Sequence, residues 1–176
     1  MSDTGFYALW LMPIGEVYDR LAQVIIELGH KYQAPVFEPH VTLLAGIPGP
    51  EELVVGQCHR LAAMVEPYSI QLTKLDQLDE FYRCVFVRVL ETAPVMETNL
   101  KARDVFGLEQ GLPHMPHLSL LYGNFPEATK RQIIHGLEDS CDLKFQAESM
   151  HLIDGRGRPP DWHRVREFAF RAPSLS

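Results

Sequence analysis

The chain of 176 residues has only three cysteines, Cys58, Cys84 and Cys141. A set that is odd and sparse makes no disulfide framework, so a reducing, cytoplasmic setting with buried thiols is expected. No apolar run is long enough to span a bilayer, because polar residues interrupt every candidate. The first residues carry neither the basic segment nor the long apolar core of a secretory leader. Positive charge is also scarce: 16 Lys and Arg face 23 Asp and Glu, a net charge of -7, with no Lys/Arg-rich helix. That argues against tight, salt-driven binding to long nucleic acid, but not against a small anion held by a few well-aimed donors. What is present is apolar surface. Hydrophobic residues make up 46% of the chain, enough to offset ordering entropy, which excludes disorder for most of it. There are eight histidines, and their placement carries the functional reading.

Periodicity and breakers give the coarse order of elements. A strand is predicted over Gly5 to Met12 and a helix from Glu16 to His30, with Val17, Leu21, Val24, Ile25 and Leu28 on one face. A strand follows over His40 to Ala45. Pro50, Glu51 and Glu52 then suit the start of a second helix, and a strand covers Ser69 to Asp76. The order then repeats. It runs through a strand over Phe81 to Leu90, a helix from Pro94 to Phe106 and a strand over His117 to Tyr122. A helix from Pro126, one strand over Leu143 to Ile153 and a last strand over His163 to Phe170 complete it. Phe6-Tyr7 and Phe81-Tyr82 match at an offset of 75 residues; Pro39-His40-Val41-Thr42-Leu43-Leu44-Ala45-Gly46 and Pro116-His117-Leu118-Ser119-Leu120-Leu121-Tyr122-Gly123 match at 77. Two matches at nearly one offset indicate a duplication, approximately 5–76 and 80–170, within a single bilobal domain spanning 1–176. The fold expected is α+β: two pseudo-symmetric lobes, each an antiparallel sheet with two outer helices, the sheets lining a central cleft.

The repeated string reduces to Pro-His-x-(Thr/Ser)-Leu-Leu-x-Gly. On a strand, residues i and i+2 share a face. His40 therefore projects with Thr42, and His117 with Ser119, while Val41, Leu43, Leu118 and Leu120 turn to the other side. A pseudo-two-fold axis would set the two pairs face to face. They would supply two groups that exchange protons near neutral pH and two hydroxyl donors for phosphate oxygens. That is the inventory for in-line attack on a phosphodiester. A lone His-x-Thr is usually a core histidine bonded to a carbonyl. Two at equivalent places, each with a hydroxyl two residues on, have no packing rationale.

These twin motifs mark the resemblance of the chain to the two-histidine (2H) phosphoesterases. Cys84-Val85-Phe86, Thr92-Ala93-Pro94-Val95-Met96-Glu97 and Met115-Pro116-His117-Leu118-Ser119-Leu120-Leu121-Tyr122 resemble the plant and yeast cyclic phosphodiesterase branch. The likeness runs from about Tyr7 to Phe170. It implies a hydrolase that opens nucleoside 2',3'-cyclic phosphates to 2'-phosphates. It also implies conversion of ADP-ribose 1'',2''-cyclic phosphate, a tRNA splicing by-product, to the 1''-phosphate. It further implies His40 and His117 as the catalytic pair, His117 as base and His40 as acid. Thr42 and Ser119 would hold the phosphate, with Tyr122 beside it. The chain departs from the branch at His114, where the plant-type pattern has a tyrosine; this imidazole either touches substrate or faces solvent.

Weaker candidates are Tyr7, Trp10, Phe81 and Tyr82, which could wall a base, Tyr7 and Tyr82 standing at matching repeat positions. Core packing is the expected role of Phe6, Trp10 and Phe81, and Trp162 reads as an anchor for the last strand. Arg156 and Arg158 lie in a Gly/Pro turn that solvates a hairpin or steers a phosphate. His30, His59, His135 and His163 have no partner in the repeat. A zinc site of His114, His117 and His40 lacks a cysteine or carboxylate at ligand spacing and gives the hydroxyls no role, so no metal or other cofactor is expected. The alternatives are an RNA-end 2',3'-cyclic phosphodiesterase or 2'-5' ligase-like enzyme, and a non-catalytic nucleotide-binding module. The expected partner is a small cyclic phosphate rather than long nucleic acid or membrane, bound by a monomer.

Overall fold

The computed structural model describes residues 6–109, 111, 113–137 and 141–175. Eight strands form one antiparallel sheet: β1 (Tyr7–Leu11), β2 (Val41–Ile47), β3 (Tyr68–Gln77), β4 (Val85–Val89), β5 (His117–Leu121), β6 (Lys144–Ala147), β7 (Ser149–Asp154) and β8 (His163–Ala169). Their order across the sheet is β6-β3-β4-β5-β2-β1-β7-β8. The four helices are α1 (Gly15–Tyr32), α2 (Glu51–Ala62), α3 (Ala93–Phe106) and α4 (Glu127–Leu137). No helix among the described residues is long and apolar enough to cross a membrane.

The fold is α+β, and its two lobes are the two four-stranded sides of this sheet. The motif strands β2 and β5 meet at the centre through Val41 and Leu118. The lobes are not contiguous in sequence. Strand β3 comes from the first half of the repeat yet pairs with β4 and β6, while β7 and β8 join β1. Each half lends strands to the other's side, which locks the halves together. The helices cross over in the same way, with α1 against β5, α3 against β2, α2 against β7 and β8, and α4 against β3 and β4. Leu21, Ile25 and Leu28 of α1 join the same apolar core as Val41, Leu43, Leu118 and Leu120.

Two expected strands differ. The run from Leu143 to Ile153 is two strands, β6 and β7, at the first and seventh places of the sheet and parted by one residue, Glu148. A single residue cannot bridge a flat sheet, so the sheet curls until its β6 edge approaches β7, leaving a concave interior. The run from Phe81 to Leu90 begins as a 3₁₀ turn, Phe81–Arg83, held by the Arg83–Glu80 ion pair at 2.6 Å, before β4 starts at Val85. Phe81 and Tyr82 are 37% and 51% exposed, so Phe81 is not the core residue its composition suggests.

Candidate active site

The concave side of the sheet holds a cavity of about 760 Å³. Its position follows from register. Val41 lies opposite Leu118, so projecting that antiparallel pairing one residue each way sets His40 across from Ser119 and Thr42 across from His117. Side chains alternate between faces. These four therefore share the face that Val41 and Leu118 avoid, and all four line the cavity.

Both imidazoles are held by the same device. Nδ1 of His40 lies 2.7 Å from the Glu38 carbonyl, and Nδ1 of His117 lies 2.8 Å from the Met115 carbonyl. A carbonyl only accepts, so each Nδ1 carries the proton and donates it, leaving Nε2 to exchange protons with a ligand. An aromatic ring braces each. Trp10 stacks flat on His40, centroids 3.6 Å apart and planes at 7°, while Phe86 meets His117 edge-on at 5.2 Å. Trp10 pairs with Thr42 across β1 and β2, as Phe86 pairs with Ser119 across β4 and β5. The braces thus stand at equivalent places beside the two motifs, and Trp10, expected chiefly to pack, has this second task.

The electrostatics of the pair are set first by burial. It lowers the pKa of His40 to about 4, with nearby His117 also lowering it and the carbonyl and carboxylate of Glu38 opposing. The pKa of His117 is lowered as well, by burial, then by Arg83 and Arg88, against the Met115 carbonyl and Glu80. Both rings are therefore neutral in the free protein at pH 7.

All the other predicted residues, Tyr122, His114, Tyr7 and Tyr82, also line the cavity. Tyr122 is buried against Phe37, ring to ring at 3.8 Å, and burial raises its pKa, which keeps it a neutral O–H donor. His114 is half-buried rather than a solvent-facing loop residue; burial, Arg103 and His117 lower its pKa to about 4. Tyr7 sits on β1 with its hydroxyl 3.4 Å from Glu51, whereas Tyr82 sits on the 3₁₀ turn. The Tyr82 carbonyl accepts a 2.8 Å hydrogen bond from Ser119 Oγ. Among the described residues, the hydroxyl of Thr42 has no such partner.

Arg156 and Arg158 do not line the cavity. The guanidinium of Arg156 is bound by the buried carboxylate of Asp154, and Arg158 lies in the Asp161 turn. At the rim, a side chain on Gly155 would lie 2.7 Å from the Phe6 carbonyl, so that approach needs glycine. His30, His59, His135 and His163 are exposed and outside the cavity. Residues the sequence did not single out for the site include Asn99, Arg103 and Arg83. Trp162 also lines the cavity, against Trp10 at 6.1 Å, Tyr82 at 5.9 Å and Tyr122 at 6.2 Å. Buried His151, to which the pattern gave no role, pairs with Trp10 across β1 and β7. Among the described residues no cluster of His, Cys, Asp and Glu could hold a metal ion.

A curled antiparallel sheet with a histidine-hydroxyl pair on each central strand defines the class of two-histidine phosphoesterases. The structure is similar to crystal structures of E. coli LigT complexed with 3'-AMP (TM-score 0.62, 14% identity, 97% of this chain and 99% of that one). It is likewise similar to LigT complexed with NADP+ (TM-score 0.60, 14% identity, 96% and 98%). In sequence, it is 28% identical over 154 residues to a cyclic phosphodiesterase of Arabidopsis thaliana, covering 83% of each chain. The model of the cyclic phosphodiesterase-like protein family matches residues 6–156, and the chain belongs to that family. It is accordingly a phosphodiesterase.

Proposed function

We propose that the chain opens nucleoside 2',3'-cyclic phosphates to 2'-phosphates, and ADP-ribose 1'',2''-cyclic phosphate to the 1''-phosphate, without a metal. The observation that carries this reading is the pair of imidazoles tied through Nδ1 to the carbonyl two residues back, each with Nε2 free and each across from a hydroxyl. Water attacks phosphorus as its proton passes to Nε2 of one histidine. The bond from phosphorus to the 3'-oxygen breaks as the other histidine protonates that oxygen. Thr42 and Tyr122 donate to the phosphate oxygens as charge accumulates there, and Ser119 joins them when its O–H turns from the Tyr82 carbonyl to the ligand.

The surroundings favour His117 as base and His40 as acid. A flat tryptophan face and the Glu38 carboxylate both stabilise an imidazolium at His40, whereas Arg83 and Arg88 disfavour one at His117. Burial opposes protonation of His40 in the free protein; the bound phosphate anion supplies the charge that offsets it. The cavity is complete within one chain, in keeping with a monomer acting on a small molecule. The relatives' ligands, 3'-AMP and NADP+, are of that size class.

Phosphorus NMR of 2',3'-cyclic AMP with the protein in excess EDTA tests the reading, with His40→Ala and His117→Ala alongside. Conversion to the 2'-phosphate alone, lost in both variants, is expected. A 3'-phosphate product, or turnover by either variant equal to wild type, would sink it.

A further inference from the structure

We infer that Arg103 is a second anion subsite, binding a phosphate of the substrate other than the one hydrolysed. Ribose cyclic phosphates that carry a further phosphate are then preferred over bare nucleoside cyclic phosphates. The inference rests on the phosphodiesterase reading above and deepens it.

Two arginines line the cavity. The charge of Arg83 is already met by Glu80, at 2.6 Å. Arg103 differs. Its Nε donates to Asn99 Oδ1 at 3.0 Å and its Nη1 to the Glu109 carbonyl at 2.9 Å. Both acceptors are neutral, and among the described residues no carboxylate lies within ion-pair distance of it. Among the described residues, nothing else accepts from the remaining N–H groups of the fork. A half-buried guanidinium in a chain of net charge -7 has carboxylates enough to choose from. Held by dipoles at a cavity wall instead, it keeps its full charge for an incoming anion.

The side chain is also aimed. Asn99, only 2% exposed, donates from Nδ2 to the Leu43 carbonyl of β2 at 2.8 Å, which forces its Oδ1 toward Arg103. The strand that carries Thr42 thus sets the direction of the guanidinium through one amide. His114 feels both Arg103 and His117. All three line the cavity, but Arg103 is carried by α3, apart from the His40 to Thr42 and His117 to Ser119 segments that would hold the reacting phosphate. A cavity of about 760 Å³ lies well within the range for whole ligands and has room for a second phosphate besides the ribose and base.

Arg103 also ties down the segment after α3 through Glu109, and a purely structural role would affect all substrates alike. The test is therefore a ratio. Wild type, Arg103→Gln and Arg103→Lys are assayed on 2',3'-cyclic AMP and on the same nucleotide with a 5'-phosphate. Arg103→Gln is expected to lower kcat/KM on the 5'-phosphorylated substrate about ten- to a hundredfold, through KM, and less than about threefold on the other. Arg103→Lys should fall between. Calorimetric binding of ADP and of adenosine supplies a readout free of turnover: wild type should favour ADP, and Arg103→Gln should lose that preference. Equal losses on both substrates, or no wild-type preference for the phosphorylated ligand, would overturn the subsite; the latter decides even if Arg103→Gln does not fold. Arg103-dependent ADP binding without turnover of either cyclic phosphate would keep the subsite and refute the hydrolysis reading instead.

Discussion

The two halves of the site share one backbone device but not one environment. His40 and His117 are both held through Nδ1 by the carbonyl two residues back. Around His40 the second layer is rigid and acidic. Trp10 covers the ring, and the Glu38 side chain is gripped by Tyr18 at 2.7 Å and Arg164 at 3.0 Å. Around His117 it is more open and of mixed charge, with Phe86 edge-on and Arg83 and Arg88 nearby, each paired with a carboxylate, Glu80 and Asp76. Under the mechanism proposed above, the twin motifs present two like imidazoles, and their unlike neighbours suit them to separate acid and base roles. The hydroxyls differ too, with Ser119 bonded to Tyr82 and Thr42 without a hydrogen-bond partner among the described residues.

The comparison breaks first if either histidine is dispensable. Each alanine variant should lose about 10²- to 10⁴-fold in kcat. The double variant should lose little more than the worse single one, because the two act as a unit. A steady-state assay in which the losses multiplied would refute concerted transfer.

The next largest effect is pH dependence. His40 has a folded pKa of about 4 against an ordinary 6.5. The unfolded chain therefore binds more protons between those values, and stability falls as pH drops through that window. From pH 7 to pH 5 this one group should cost about 2 kcal/mol, and urea titrations of His40→Gln should show that much less acid sensitivity. The pKa values of both His40 and His117 are lowered in the free protein. The kcat/KM bell should thus centre below 6.5, with the kcat bell displaced upward by the bound anion and limbs that belong to the pair. A kcat/KM maximum above pH 7.5 would contradict the assigned burial.

Removing the hydroxyls sharpens the contrast on a smaller scale. Thr42→Val and Ser119→Ala should each lower kcat about tenfold. Only Ser119→Ala should also lower stability, by about 1 kcal/mol, since the Tyr82 carbonyl loses its donor. Equal melting temperatures for the two variants would show that the Ser119 bond does not matter to the turn.

That the four motif side chains share one cavity was legible because their signal lies in the chain itself: a spacing of two, repeated at an offset of 77. The bracing of the two histidines was legible only in part. Trp10 and Phe86 stand at an offset of 76, within the repeat's own range, but their meaning depends on cross-strand register that the chain does not spell out. The division at Glu148 had a local trace. Apolar residues alternate at Phe145 and Ala147, then shift phase to Met150 and Leu152. Read as one apolar run, that phase change was lost, and with it the curl of the sheet. Asn99 and Arg103 had no trace, because a residue pair on a helix acquires a site only when the helix docks, here against β2.

The subtlest asymmetry is the clamp on Glu38. Burial works against its carboxylate, yet Arg164 and Tyr18 outweigh that and hold its pKa below the ordinary range. Arg164 is partly exposed, so the ion pair itself contributes little to stability, about 1 kcal/mol or less. Its effect should instead pass through the backbone of Glu38 to the ring of His40. Arg164→Met should then lower kcat about threefold with KM unchanged, and the same substitution on a His40→Ala background should have no further effect. On His117→Ala it should likewise add little, because the two histidines act as a unit. If Arg164→Met is equally harmful on both backgrounds, the clamp serves the fold at large, and the inequality of the two half-sites rests on Trp10 alone.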